Sequence, residues 1–264
     1  MYNSVYIKII LVFSAIFSWN NDVIYDMSFD HISSEVHQTE SAKSIIDKVD
    51  ENMTSDTRVM ISEMIVYGKR KSRTIRSKGY ARGTVDSFSE YLAPAKEKGT
   101  KMLKLDDKLW IYSPNTDRII QLSGHMLKQS VMGSDLSYED LMEDRKLMDV
   151  YDAKLVGEES IDGNNCWVLE LNAKTDKVNY ARRKMWVDKD KYVPLKEELF
   201  AKSGQLLKKT EMSDIVNIGG RWFPKKMNFK DMLKSGKGTD FVIIDVEFDA
   251  AIPEYLFSKA ALRK

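Results

Sequence analysis

From Gly99 to Leu122 the chain alternates: Met102 and Lys104 point one way while Leu103 and Leu105 point the other, and then Trp110 and Tyr112 oppose Leu109 and Ile111. A side-chain period of two, carried by aromatic and branched residues, predicts strands. Asp106-Asp107 reads as a tight turn, and Ser113 to Asp117 as a second turn before a run from Arg118 to Leu122. Consecutive antiparallel strands follow.

The same period recurs on both sides. Before this stretch it marks Thr57 to Tyr67, Ser72 to Arg82 and Val85 to Leu92, and Pro94 ends the meander because it cannot donate to a ladder. After it come Ala153 to Glu158, Cys166 to Ala173, Arg183 to Val187, Val193 to Ala201, Leu206 to Val216, Trp222 to Met232 and Thr239 to Asp249. Asp162-Gly163 is a strong hairpin signal, and Ser203-Gly204, Gly219-Gly220 and Ser235-Gly236 separate later runs. No alternation of strand and helix runs through the sequence, so the sheet is expected to be antiparallel. The expected class is mainly β (α+β), with about ten or eleven short strands broken by one helical insertion.

Helical spacing is confined to a few places. Ala42, Ile45, Ile46, Val49 and Met53 fall on one face of a helix starting at Ser41, and such a stripe needs a partner surface. Ser137 starts a second helix, with Asp140 in the reciprocal capping position and the helix running to about Met148. Between the strands and this helix lies Gly124 to Leu136, which carries Met126, Leu127, Val131 and Met132 with neither period sustained. Apolar loops of this length act as lids, binding loops or packed covers. Near the C-terminus, Pro253 starts a single helical turn whose Phe257, with Leu262, is expected to tuck against the sheet edge.

Charge and composition narrow the function classes. The 264 residues carry 41 basic and 40 acidic side chains, so no general pull toward nucleic acid or anionic surfaces arises. Basic runs such as Lys69 to Arg76 read as solvated faces. The single cysteine, Cys166, lies in an alternating run and reads as a buried strand residue. At the start, Lys8 precedes an apolar run from Ile9 to Phe17, too short to span a bilayer and suited to a secretory signal; an uncleaved anchor or a buried strand is the alternative. The expected organisation is a signal peptide over 1–18, a poorly ordered lead segment over 19–40 and one domain over 41–264, giving a soluble exported protein, which the resemblance given below places in the periplasm.

An enzyme needs a nucleophile with a base, a metal cluster or a carboxylate pair at useful separation. His31, His37 and His125 are far apart and lack the spacing of metal ligands. Asp135, Glu139, Asp140, Glu143 and Asp144 form an acidic cluster that helix-start complementarity and solvation explain. No GxSxG, Walker-type or GxGxxG motif is present. The expectation is a non-enzyme without metal or cofactor. A binding protein needs only an apolar concavity, and the 14 methionines supply adaptable lining for acyl chains. The candidate cavity and lid residues are Met102, Trp110, Tyr112, Met126, Leu127, Val131, Met132, Leu141, Trp186 and Met227.

The run EKGTKMLKLDDKLWIYSPNTDRIIQLSGHMLKQSVMGSDLSYEDL resembles the outer-membrane lipoprotein-sorting protein family, in its LolA-like branch of mostly uncharacterised periplasmic proteins. RRKMWVDKDKYVPLKEELFAKSGQLLK, GRWFPKKMNFKDML and VEFDAAIPEYLFS extend the resemblance from about Ser41 to Leu262. It implies a LolA/LolB-like fold: an unclosed antiparallel β-barrel whose concave apolar side is covered by helices. It also implies a carrier of lipids or acylated lipoproteins, with envelope membrane proteins as partners and no nucleic acid. The lid-locking arginine of true carriers has no assignable counterpart among Arg58, Arg73, Arg76 and Arg82. A protein-interaction or envelope-stress sensor module without lipid cargo is the alternative, and a purely structural envelope protein a third.

Overall fold

The computed structural model describes residues 40–68, 70–143 and 146–264. The expected signal peptide and the lead segment as far as residue 39, with His31 and His37, lie outside the described residues. The chain begins with helix α1 (Ala42–Met53), capped by Ser41, whose side chain accepts from the Ser44 amide. Six strands follow: β1 (Thr57–Tyr67), β2 (Ser72–Arg82), β3 (Asp86–Ala93), β4 (Lys101–Leu105), β5 (Lys108–Ser113) and β6 (Arg118–Leu122). A covering segment holds two 3₁₀ turns, Gly124–Lys128 and Val131–Gly133, and two single-turn helices, α2 (Tyr138–Leu141) and α3 (Leu147–Val150). Seven more strands complete the sheet: β7 (Tyr151–Ile161), β8 (Asn164–Ala173), β9 (Arg182–Asp188), β10 (Pro194–Phe200), β11 (Leu206–Ile218), β12 (Arg221–Asp231) and β13 (Thr239–Phe248).

All 13 strands belong to one sheet in the order β6-β5-β4-β3-β2-β1-β13-β12-β11-β10-β9-β8-β7. Every neighbour is antiparallel, and the pairing of β1 with β13 joins the two meanders. The count exceeds the expected ten or eleven because each alternating run keeps its own turn and none fuses with the next. The turn chemistry explains this: Asp162 and Gly163 both take positive φ, 48° and 83°, the geometry of a two-residue hairpin turn. Asp106 and Asp117 do the same at φ 51° each in their turns.

The sheet is not closed, since β6 and β7 sit at opposite edges. They are consecutive in sequence, so residues 123–150 must travel from one edge to the other. They do so across one face, here called inner, where Val131, Leu136 and Tyr138 pack with Met64, Ile75, Tyr91, Leu109 and Leu122. Helix α1 covers the rest of that face: Ile45, Ile46 and Val49 pack on Tyr151, Leu169, Leu171, Met185 and Val187.

The predicted helix from Ser137 to Met148 is instead two single turns. Its start is as expected: Ser137 Oγ accepts from the Asp140 amide, and the Asp140 carboxylate accepts from the Ser137 amide at 2.7 Å. The turn then tightens, with the amides of Met142 and Glu143 bonding three residues back, and Glu143 is drawn into an ion pair with Arg183 on the sheet. The C-terminal turns also differ from expectation. Leu256 and Leu262 cover the outer face over Phe88, Leu103 and Trp110 rather than an edge.

Candidate functional site

A cavity of about 270 Å³ lies between the covering segment and strands β1 to β5 and β13. Its walls are Met60, Met64, Ile75, Tyr91, Met102, Leu109 and Phe241, and Val131, Leu136 and Leu141 roof it. Its floor is different: Ser62, Ser77, Gly79, Ala81, Ser87 and Ser89, small side chains on three neighbouring strands. Strand alternation sends these to the inner face, and they are too short to reach the roof. The cavity therefore exists because β1 to β3 carry small residues where β8 and β9 carry Leu169, Leu171, Met185 and Val187. A Cβ on Gly79 would meet nothing within 4 Å.

Two further spaces adjoin it, of about 310 Å³ toward Thr54 and Gly83 and about 340 Å³ toward Tyr180 and Leu199. Leu141 lines all three and is 37% exposed despite its size. It acts as a wedge, and its displacement would join them. Each space alone is near the lower end for ligand pockets.

The polar ring around the roof is tightly organised. Asp135 accepts from the Thr239 hydroxyl at 2.9 Å and the Asp231 amide at 3.0 Å, stitching the cover to β12 and β13. Lys234 donates to Ser130 and Ser134, and Arg73 to the Met132 carbonyl. Asp140 pairs with Lys208 and accepts from Tyr180. Burial opposes ionisation of Asp140, but Lys208 and these donors together hold its carboxyl below the usual range. Arg183, 7% exposed, pairs with Glu197 at 3.1 Å and with Glu143, and lies over the Tyr151 ring at 4.9 Å. Burial pushes the Glu197 carboxyl up against the pull of Arg183. Asp135, Asp140 and Glu143 of the acidic cluster are thus tied to the sheet, and the backbone carbonyl of Glu139 accepts from Asn179.

The sequence-derived candidates divide. Met102, Val131 and Leu141 line the main cavity, and Met227 lines the space beside it. Met126, Leu127 and Met132 pack within the covering segment on the same core. Trp110, Tyr112 and Trp186 lie on the outer face, because the alternation that turns Leu109 and Met185 inward turns them outward. Trp110 sits beneath the C-terminal turns with Lys259 over its ring, and Trp186 donates to Glu159 at 2.7 Å. Sequence reasoning missed the floor residues and Arg183. The floor had a signal, small residues in alternate positions at 77, 79 and 81 and again at 87 and 89. Cys166 is fully buried, and burial raises its thiol to about 11, as befits a packing residue.

These features define a class: an unclosed, mainly β antiparallel sheet with few helices, one inner face partly hollow beneath a cover, which is the LolA-like fold. A DUF1329 family protein from Desulfovibrio piger is similar at TM-score 0.74 and 28% identity, over 85% of this chain and 100% of that one. A LolA superfamily protein from Nitrosomonas europaea is similar at TM-score 0.69 and 26% identity, over 84% of this chain and 99% of that one. An outer membrane lipoprotein-sorting protein domain from Vibrio parahaemolyticus shares the fold at TM-score 0.72 and 22% identity, over 84% and 100% of the two chains. None of the curated proteins compared matches. The family model described as "Uncharacterized protein" matches residues 83–264, and the chain belongs to that family. The resemblance to the LolA-like branch stands on these comparisons.

Proposed function

We propose that the protein is a periplasmic binding or carrier protein that holds the acyl chains of lipids or lipoproteins under its cover, as part of outer-membrane lipoprotein sorting. The observation that carries this reading is the cavity itself, an apolar space with a floor of serines and glycine that no side chain of the described residues fills. Cores are normally packed to crystal-like density, so a space kept open by small residues on three strands has a use. Transfer of each methylene into it contributes about 0.8 kcal/mol, so one long chain supplies on the order of 10 kcal/mol before ordering costs.

The cover makes the binding reversible. Leu141 competes with the ligand for the same space, so affinity stays low enough for handover. The stitched part, Ser130 to Asp140, is held by Asp135 and Lys208, and Leu141 to Glu143, tied to the sheet through the Glu143–Arg183 pair, is the piece that moves once that pair opens. Asp135, Asp140, Lys208 and Lys234 on the rim are committed to holding this cover, which favours a non-enzymatic carrier or chaperone over a catalyst. Acylated cargo and envelope membrane proteins as donor and acceptor are its partners in this reading. Among the described residues no helix is long and apolar enough to cross a membrane.

Mass spectrometry of organic extracts from the purified protein tests the reading. Co-purified phospholipid or acylated peptide is the expected result. A clean extract, together with no uptake of added acyl probe, would contradict it and favour the protein-interaction module.

A further inference from the structure

The stretch from Leu141 to Glu143 has the outline of an amphiphile. Leu141 projects an apolar side chain between the cavity and its neighbours, and two residues on the Glu143 carboxylate reaches a buried cation, Arg183. The space that holds Arg183 shares Leu136, Leu141 and Phe241 with the acyl cavity, so head and tail positions are continuous.

Arg183 is built like a receptor for an anion. It is 7% exposed and its guanidinium is framed by the Tyr151 and Tyr180 rings, at 4.9 and 5.8 Å. Its Nη1 donates to Glu197 and its Nη2 meets the Glu143 carboxylate, while Nε has no hydrogen-bond partner. Buried guanidinium donors left unmatched are costly, and a planar carboxylate or a phosphate matches them in pairs. The same space is also lined by Lys208, paired with Asp140, and by Glu197.

Resting on the acyl-carrier reading, we propose that the ligand is an anionic amphiphile, and that Leu141 and Glu143 are its built-in stand-in. The tail displaces Leu141 from the cavity, and the anionic head displaces Glu143 from Arg183. A neutral lipid gains only the first exchange. It must also uncover Arg183 without replacing its counter-charge, whereas a cationic head would face a buried cation directly.

The experiment is calorimetric titration of the purified protein, below micelle-forming concentrations, with dodecanoate, dodecyl phosphate, monolauroylglycerol and dodecyltrimethylammonium. The anionic probes are expected to bind about tenfold more tightly than the neutral one, and the cationic one weakest. The tighter of the two anions tells a carboxylate head from a phosphate head. Glu143→Gln weakens the pair that every probe must open, so affinity is expected to rise about threefold for the neutral and the anionic probes alike. Equal affinity for all four heads, or a Glu143→Gln protein whose affinities are all unaltered, would overturn the head-group site while leaving the acyl cavity standing. No binding of any probe would overturn the carrier reading itself.

Discussion

The inner face of the sheet is covered twice, by two different means. Over β7 to β9 helix α1 lays Ile45, Ile46 and Val49, each no more than 2% exposed, onto Leu169, Leu171, Met185 and Val187. Over β1 to β5 the covering segment meets Ser62, Ser77, Gly79, Ser87 and Ser89 and leaves a cavity of about 270 Å³. The strand geometry is the same in both, so side-chain volume alone decides which half is solid and which hollow. The anchoring differs in kind as well. Helix α1 is held by apolar packing and, toward its C-terminal end, by Asn52 on the backbone of Lys191, Tyr192 and Trp222 and by Arg221 on the carbonyls of Glu51 and Thr54. The cover is held by buried polar bonds from Asp135 and Asp140. Apolar packing makes a permanent lid and a few directional bonds a releasable one.

The contrast is tested most severely on the solid side. Ile46→Ala is expected to cost about 3 kcal/mol, read by denaturant unfolding, because a fully buried side chain leaves a void that the helix cannot close. A cost below about 1 kcal/mol would mean that α1 is as loosely seated as the cover. On the hollow side, Asp135→Ala should cost about 2 kcal/mol and speed amide exchange over residues 130–140, since it orphans the Thr239 hydroxyl and the Asp231 amide. Gly79→Leu inverts the logic. It adds a large side chain where a Cβ meets open space, so stability should change by less than about 1 kcal/mol while acyl-probe affinity falls at least about tenfold.

The smallest effect concerns Asp50 on α1, whose partial burial beside α3 pushes its carboxyl from 3.8 up to about 6. A carboxyl raised in the folded state disfavours folding when ionised. The penalty is present above about pH 6 and fades as the pH falls toward the unfolded value of 3.8. Asp50→Asn should therefore stabilise the protein at pH 7.5 by about 1 kcal/mol, after allowance for solvent screening, and leave it unchanged at pH 4. Equal stabilisation at both values would remove the penalty from Asp50.

Much of the fold was legible because it rests on local signals. Ser41 and Ser137 as caps, the α1 stripe and the Asp-Gly hairpin all act within a few residues, and each is found where the sequence places it. The strands too were legible run by run, each alternating run matching one strand, and the expected count of ten or eleven falls short of the runs themselves. The site was half legible. Parity shows that Leu109 and Trp110 face opposite ways, but only the tertiary structure says which way is in, and so Trp110, Tyr112 and Trp186 were grouped with Met102. The break between α2 and α3 was illegible for a related reason. Glu143 leaves the helical path for Arg183, 40 residues away in sequence and adjacent only in the fold.

Hydrogen exchange read separately over the two covers is the most direct measurement of the central claim. With saturating dodecanoate, exchange between Leu141 and Val150 should change while that of Ala42 to Met53 stays as it was. Identical exchange in both segments with and without the acyl chain, although the chain binds, would show that the hollow beneath the cover is not where it goes.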